Sequence, residues 1–143
     1  MGFRSAPGLF EHLQASRRNV NREQWARDFF AVVDSGQTEK IAAYKTGNLR
    51  LQTANMEPSV GVEPLKAALQ AAADRFRSIS HEIQGIRAGQ WEQGDAVSLE
   101  AIVRYERSSG RVVELPCTST PLLQGEKVAD YRIFIVPSPA FAD

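Results

Sequence analysis

Cysteine and histidine are scarce in this chain. Its 143 residues include one cysteine, Cys117, and two histidines, His12 and His81. A single cysteine cannot close an intrachain disulfide, and so few soft ligands make a metal site unexpected. Net charge is also missing, because 17 basic side chains balance 17 acidic ones. Nucleic acid and anionic membranes select for a basic surplus, so neither is expected as a partner. No apolar run approaches the roughly 20 residues that span a bilayer. Residues 1–7 carry no apolar core of signal-peptide length. The expectation is a soluble cytoplasmic protein. There is no phosphate-cradling glycine loop, no Ser-His-Asp spacing, no repeat and no low-complexity segment. No cofactor is expected.

What the chain does have is a pattern of helices followed by strands. Its length suits one domain that buries roughly 70% of its unfolded surface. Residues 1–20 read as a leader, partly disordered or packed on the body through Phe10, His12 and Leu13, with disorder expected up to Pro7. Residues 21–143 read as the domain. Asn21 with Gln24 makes a weak capping box, and Trp25, Phe29, Val32 and Val33 fall on one helical face that stops at Ser35-Gly36. A second helix is expected over 38–44, ended by Lys45-Thr46-Gly47. Residues 48–53 alternate as a strand, and 55–61 read as a loop. Pro64 suits the first turn of a third helix, whose buried stripe includes Leu65, Leu69 and Phe76.

From Ile79 onward the pattern is β. Gly85 and Gly89 are expected bend points in a strand that ends at Trp91. Val97, Leu99, Ala101, Val103 and Tyr105 share one face of the next strand, and Ser108-Ser109-Gly110 turns it. After 112–123, a turn at Gln124-Gly125-Glu126-Lys127 leads to the closing strand Val128–Val136, rich in β-branched and aromatic residues and ended by Pro137.

Three motifs occur in that order: Val32-Val33-Asp34-Ser35-Gly36, then Asn48 to Met56 leading to Gly61, then Glu114-Leu115-Pro116 joined to Tyr131-Arg132-Ile133-Phe134-Ile135. Together they resemble the SnoaL-like branch of the nuclear transport factor 2-like superfamily over about residues 21–141. The resemblance implies an α+β cone, with three helices packed on a curved antiparallel sheet around a pocket. It also implies a homodimer through the sheet's outer face. The superfamily includes isomerases, cyclases, hydrolases, dehydratases and non-catalytic binders, so fold alone does not choose a function.

The resemblance also allows known chemistries to be tested. A ketosteroid isomerase-type site needs a tyrosine where this chain has Phe29 and a carboxylate where it has Thr53, or Gln52 under a one-residue slip. Phenylalanine donates no hydrogen bond, and neither Thr53 nor Gln52 accepts a proton near neutral pH. Cyclases of the SnoaL type commonly carry an aspartate where this chain has Val136. An epoxide-hydrolase arrangement needs two acids around an arginine, but Asp130 and Arg132 read as an outward ion pair.

The remaining candidates are His81 and Tyr131 for any chemistry. A histidine's intrinsic pKa, near 6.5, suits acid–base work, while a strand histidine paired with Glu82 or a neighbour is the plainer reading. Tyr131 aims its hydroxyl at a ligand or at a backbone carbonyl. Trp25, Phe29, Tyr44, Thr53, Asn55, Trp91, Cys117, Ser119 and Ile133 are the candidate ligand-binding residues. Asn55 is equally a turn residue bonded to its own backbone, and Cys117 a small packing residue. Asp34 and Glu39 read as solvated charges. The expected function is binding of a small apolar or aromatic molecule, with weak acid–base chemistry of isomerase, cyclase or hydrolase type. The other reading is a non-catalytic dimeric module with a vestigial pocket, acting through Phe134, Arg132, Ile102 and Arg104.

Overall fold

The computed structural model describes residues 8–142, except the side chains of 12–20. The leader's residues 1–7, and the side chains of His12 and Leu13, lie outside that set.

Helix α1 runs unbroken from Leu9 to Ser35. The sequence suggested a start at Asn21, but no glycine or proline interrupts residues 9–35. Gln24 does not reach back to a cap. Its amide donates to Asp28 Oδ1 at 2.8 Å, one turn ahead. Trp25, Ala26, Phe29 and Phe30 form the buried stripe. Gly36 ends the helix at φ 69°, and its N–H donates to the Val33 carbonyl. That conformation suits a residue without Cβ.

Helix α2, Thr38–Ala43, leads directly into strand β1, Lys45–Thr53. Lys45, expected as a helix terminator, is thus the first residue of a strand. A short strand β2, Ser59–Val60, precedes helix α3, Val62–Arg75. Then come β3 Phe76–Trp91, β4 Gly94–Arg107, β5 Val112–Gln124, β6 Lys127–Phe134 and a closing turn of helix, α4 Ser138–Phe141.

The six strands form one sheet in the order β2-β1-β6-β5-β4-β3. Strands β3 to β6 are joined by hairpins and are antiparallel. The β1–β6 ladder is parallel, with Leu51 opposite Tyr131 and Thr53 opposite Ile133. The sheet is therefore mixed rather than wholly antiparallel. A hairpin forces reversal, whereas β1 reaches β6 only after a helix and three hairpins, which leave its direction free.

On β3 the register slips between Ile83 and Gly85, where two steps oppose one step of β4. This bulge bends the strand and switches the parity of its inward face. Ile79 and His81 line the cavity, and Ile83 and then Ile86 pack on the core. Gly89 marks no such slip. The long helix α1 lies across the curved sheet, and the hydrophobic core fills the space between them. The result is an α+β cone.

Candidate functional site

One end of the core is incompletely filled. A cavity of about 190 Å³ lies between α1, α3 and the concave face of the sheet. Phe29 and Val33 contribute from α1, Leu65 and Leu69 from α3, Ile79 and His81 from β3, and Val103 and Tyr105 from β4. Cys117 and Ser119 of β5, Tyr131 and Ile133 of β6 and the following Ile135 complete the sheet side. Ile41, Lys45 and Leu51 close the remaining wall. A dry apolar cavity of roughly 150 Å³ is enough to hold benzene. This one suits a compact, single-ring molecule and falls short of the roughly 300 Å³ at which drug-sized pockets begin.

His81 sits in this wall with a partner that the sequence did not suggest. Its Nδ1 lies 2.6 Å from Asp34 Oδ1, and its backbone N–H donates to Asp34 Oδ2 at 2.9 Å. Glu82, the neighbour expected to pair with it, points away and is exposed. Asp34 is not a solvated capping charge. It stands at the last turn of α1, 47 residues from His81 in sequence, and its side chain is only 24% exposed. The Phe30 ring packs edge-on against the imidazole at 4.9 Å. Both oxygens of one carboxylate thus hold one residue, which fixes the ring's position. An ionised carboxylate only accepts hydrogen bonds, so the Nδ1 that faces it is the donor of this contact.

Asp34 also borders a second hollow of about 260 Å³, which shares Val33, Leu69 and Ile79 with the first. The Asp34–His81 pair therefore stands at the wall between two spaces.

Four further titratable groups line the cavity, three of which are ordinarily neutral. Tyr131 is buried, and burial pushes its hydroxyl well above the ordinary phenol range despite a hydrogen bond with Ser119. Burial also raises the Cys117 thiol, whose Sγ lies 3.4 Å from Ser119 Oγ. A neutral buried thiol is a poor nucleophile. Tyr105 is pushed up to about 12, mainly by burial and secondarily by Cys117. All three stay protonated at neutral pH.

Lys45 is the fourth. Its side chain is buried, and its Nζ has no hydrogen-bond partner among the described residues. The amine lies 4.0 Å from the Phe29 ring centroid and 4.4 Å from that of Tyr131. Loss of water lowers its pKa from 10.5 to about 7. The two ring faces favour the ammonium by about 2 kcal/mol when desolvated. That is less than the several kcal/mol that dehydrating the charge costs.

The structure brings Phe29, His81, Cys117, Ser119, Tyr131 and Ile133 together at the cavity and leaves five other candidates outside its lining. Trp25 packs in the core and donates its indole N–H to the Glu126 carbonyl. Tyr44 packs beside it against Phe29. Trp91 donates to the Leu123 carbonyl at 2.8 Å and ties the end of β3 to β5. Thr53 is at the far end of β1, and Asn55 is exposed in the turn beyond it. Sequence reasoning missed Asp34 and Lys45. The motif containing Asp34 was visible, but its partner was not. Nothing local to Lys45 marks it as buried. Among the described residues, no cluster of three or more His, Cys, Asp or Glu could hold a metal ion. No described helix is long and apolar enough to cross a membrane.

No family sequence model matches the chain, and no curated protein matches it either. Solved structures do. A protein from Jannaschia sp. CCS1 assigned as a SnoaL-like polyketide cyclase superposes with a TM-score of 0.67 at 15% identity, covering 98% of this chain and 95% of its own. A protein from Novosphingobium aromaticivorans assigned as a scytalone dehydratase gives 0.68 at 15% identity, over 90% and 89%. A nuclear transport factor 2-like protein of unknown function from Burkholderia pseudomallei gives 0.69 at 10% identity, over 85% and 95%. The chain shares the nuclear transport factor 2-like fold of these proteins.

Proposed function

We propose that this SnoaL-like chain binds a compact apolar or aromatic molecule in its cone and moves a proton on that molecule with His81. Nε2 is the base, and Asp34 is the positioning residue that fixes the ring and its tautomer. The proton taken at Nε2 leaves an imidazolium that Asp34 stabilises through Nδ1–H, as carboxylate–histidine pairs do elsewhere. Tyr131 stays protonated and is available to donate to an oxygen on the ligand. The reaction class is proton abstraction and return, as in isomerisation, cyclisation or dehydration. The observation that carries this reading is the double hold of Asp34 on His81 at the wall of an apolar cavity.

Cyclohexanone tests the reading because it fits the cavity and exchanges its α-protons in heavy water under base catalysis. Wild-type protein is expected to accelerate that exchange. His81→Ala should lose roughly 10²-fold or more. Asp34→Asn should fall in between, because an amide presents either a donor or an acceptor and no longer fixes the tautomer. Both variants should still bind the ketone in NMR titrations. Exchange at the wild-type rate in His81→Ala would sink the assignment.

A second reading has its own support. Phe134 projects from the sheet's outer face, 59% exposed, near Pro116 and Ile102, which oppose one another across β5 and β4. Such a patch suits a homodimer contact.

A further inference from the structure

We propose that Lys45 is a covalent docking point for a compact aldehyde or ketone, which it captures inside the cone as an imine. Most lysines keep their ammonium in water, at an ion pair or at a carbonyl. Among the other lysines of this chain, Lys66 bridges Glu39 and Glu63, and Lys40 and Lys127 are exposed. Lys45 has none of these arrangements. It is 4% exposed, its Nζ has no hydrogen-bond partner among the described residues, and it lines a mostly apolar cavity. An orphaned buried donor costs stability. A group that completes it from within the cavity removes that cost.

The titratable groups around the cavity are His81 on β3, Tyr105 on β4, Cys117 on β5 and Tyr131 on β6. None is a carboxylate, and Asp34 on α1 is committed to His81. Among the described residues nothing holds the amine charged by ion pairing, and burial lowers its pKa to about 7, so free base is present at neutral pH. The lone pair needed for addition is therefore present. The rings of Phe29 and Tyr131 border the amine and provide an apolar seat for a ligand's hydrocarbon part.

The step balances without a redox partner. The amine lone pair forms a C–N bond to the carbonyl carbon, and the C=O π pair moves to oxygen. That oxygen takes a proton from nitrogen, giving a carbinolamine. Its hydroxyl then leaves as water as the C=N bond forms. The products are an imine and one water.

Benzaldehyde with sodium cyanoborohydride reads this out. The reductant delivers hydride to any imine and leaves a stable benzylamine that peptide mass mapping locates. At pH 7 an ordinary lysine exposes on the order of 10³-fold less free amine than Lys45. Lys45 is therefore expected to be labelled well ahead of Lys40, Lys66 and Lys127, and cyclohexanone should slow the labelling. Label spread evenly over the surface lysines, or none at Lys45, overturns the proposal. Because the readout is on wild-type protein, it does not depend on a variant that fails to fold. The inference uses the cavity of the proposed function but not its histidine. His81→Ala should keep the label, and its loss there would overturn Lys45 as a self-sufficient nucleophile. Wild type that exchanges ligand protons but takes no label at Lys45 sinks this inference alone. Label without exchange sinks only the proton-transfer reading.

Discussion

At the scale of single residues, Lys45 links burial to pH. Its pKa is about 7 in the folded protein and 10.5 as an ordinary lysine. Below pH 7 both states are protonated, and the fold carries the full cost of a dehydrated ammonium. Between about 7 and 10.5 the folded protein sheds this proton first. The unfolded chain then binds more protons, so this group's contribution makes stability rise with pH. Cys117, Tyr105 and Tyr131 act oppositely at alkaline pH, because burial raises them and the unfolded chain ionises first. Comparison with Lys45→Met cancels those groups. The variant should be more stable at pH 6, by roughly 4 kcal/mol, and the gap should shrink to about 1 kcal/mol by pH 10. Urea unfolding at a series of pH values measures it. Parallel curves for the two proteins would show that Lys45 keeps its proton on folding.

At the scale of elements, close approach matters as much as pattern. Gly94 opens β4, and a Cβ there would lie 2.6 Å from the Leu123 carbonyl oxygen, which already accepts the Trp91 indole. Gly94→Ala must push two backbones apart and should cost about 1–3 kcal/mol in urea unfolding. A loss under about 0.5 kcal/mol would mean that the hairpin yields freely. Gln93-Gly94-Asp95 has turn chemistry in the sequence, yet Gly94 is the first residue of β4, and nothing local announces its close approach to Leu123. Elsewhere the local pattern carried more. The inward set of β4 from Val97 to Tyr105, the bend at Gly85 and the stop at Gly36 all follow from periodicity or backbone freedom within a few residues. The parallel β1–β6 ladder does not, because alternation is the same in both directions. The Asp34–His81 pair was hidden for a related reason. Asp34 looks like any polar residue at a helix end until the sheet brings β3 beneath it. Lys45 looked like a helix terminator, because burial is a property of the finished fold. Trp25, Tyr44 and Trp91 are aromatic and buried or half-buried, as expected, but aromaticity does not distinguish a cavity wall from solid core.

At the scale of the whole molecule, the inner and outer faces of the sheet do different work. Adjacent residues of β6 divide between them: Tyr131 and Ile133 turn to the cavity, while Arg132 and Phe134 face outward. A homodimer through the outer face would bury about 800 Å² per partner for a standard interface, a small share of the 9004 Å² surface. The zero net charge sets up no overall repulsion between copies. Ion pairs flank the patch, with Arg132 on Asp130 and Arg87 on Glu100, in the manner of a polar rim around an apolar centre. Phe134→Glu places a charge at that centre. The variant should sediment as a monomer where wild type sediments as a dimer. Cyclohexanone should bind both equally, since the substituted side chain faces away from the cavity wall. If wild type is already monomeric at about 50 μM, well above the micromolar dissociation constants of ordinary specific interfaces, the outer face is not a self-contact. If Phe134→Glu instead weakens ketone binding while the dimer persists, the two faces are coupled through β6, and the division of work between them fails.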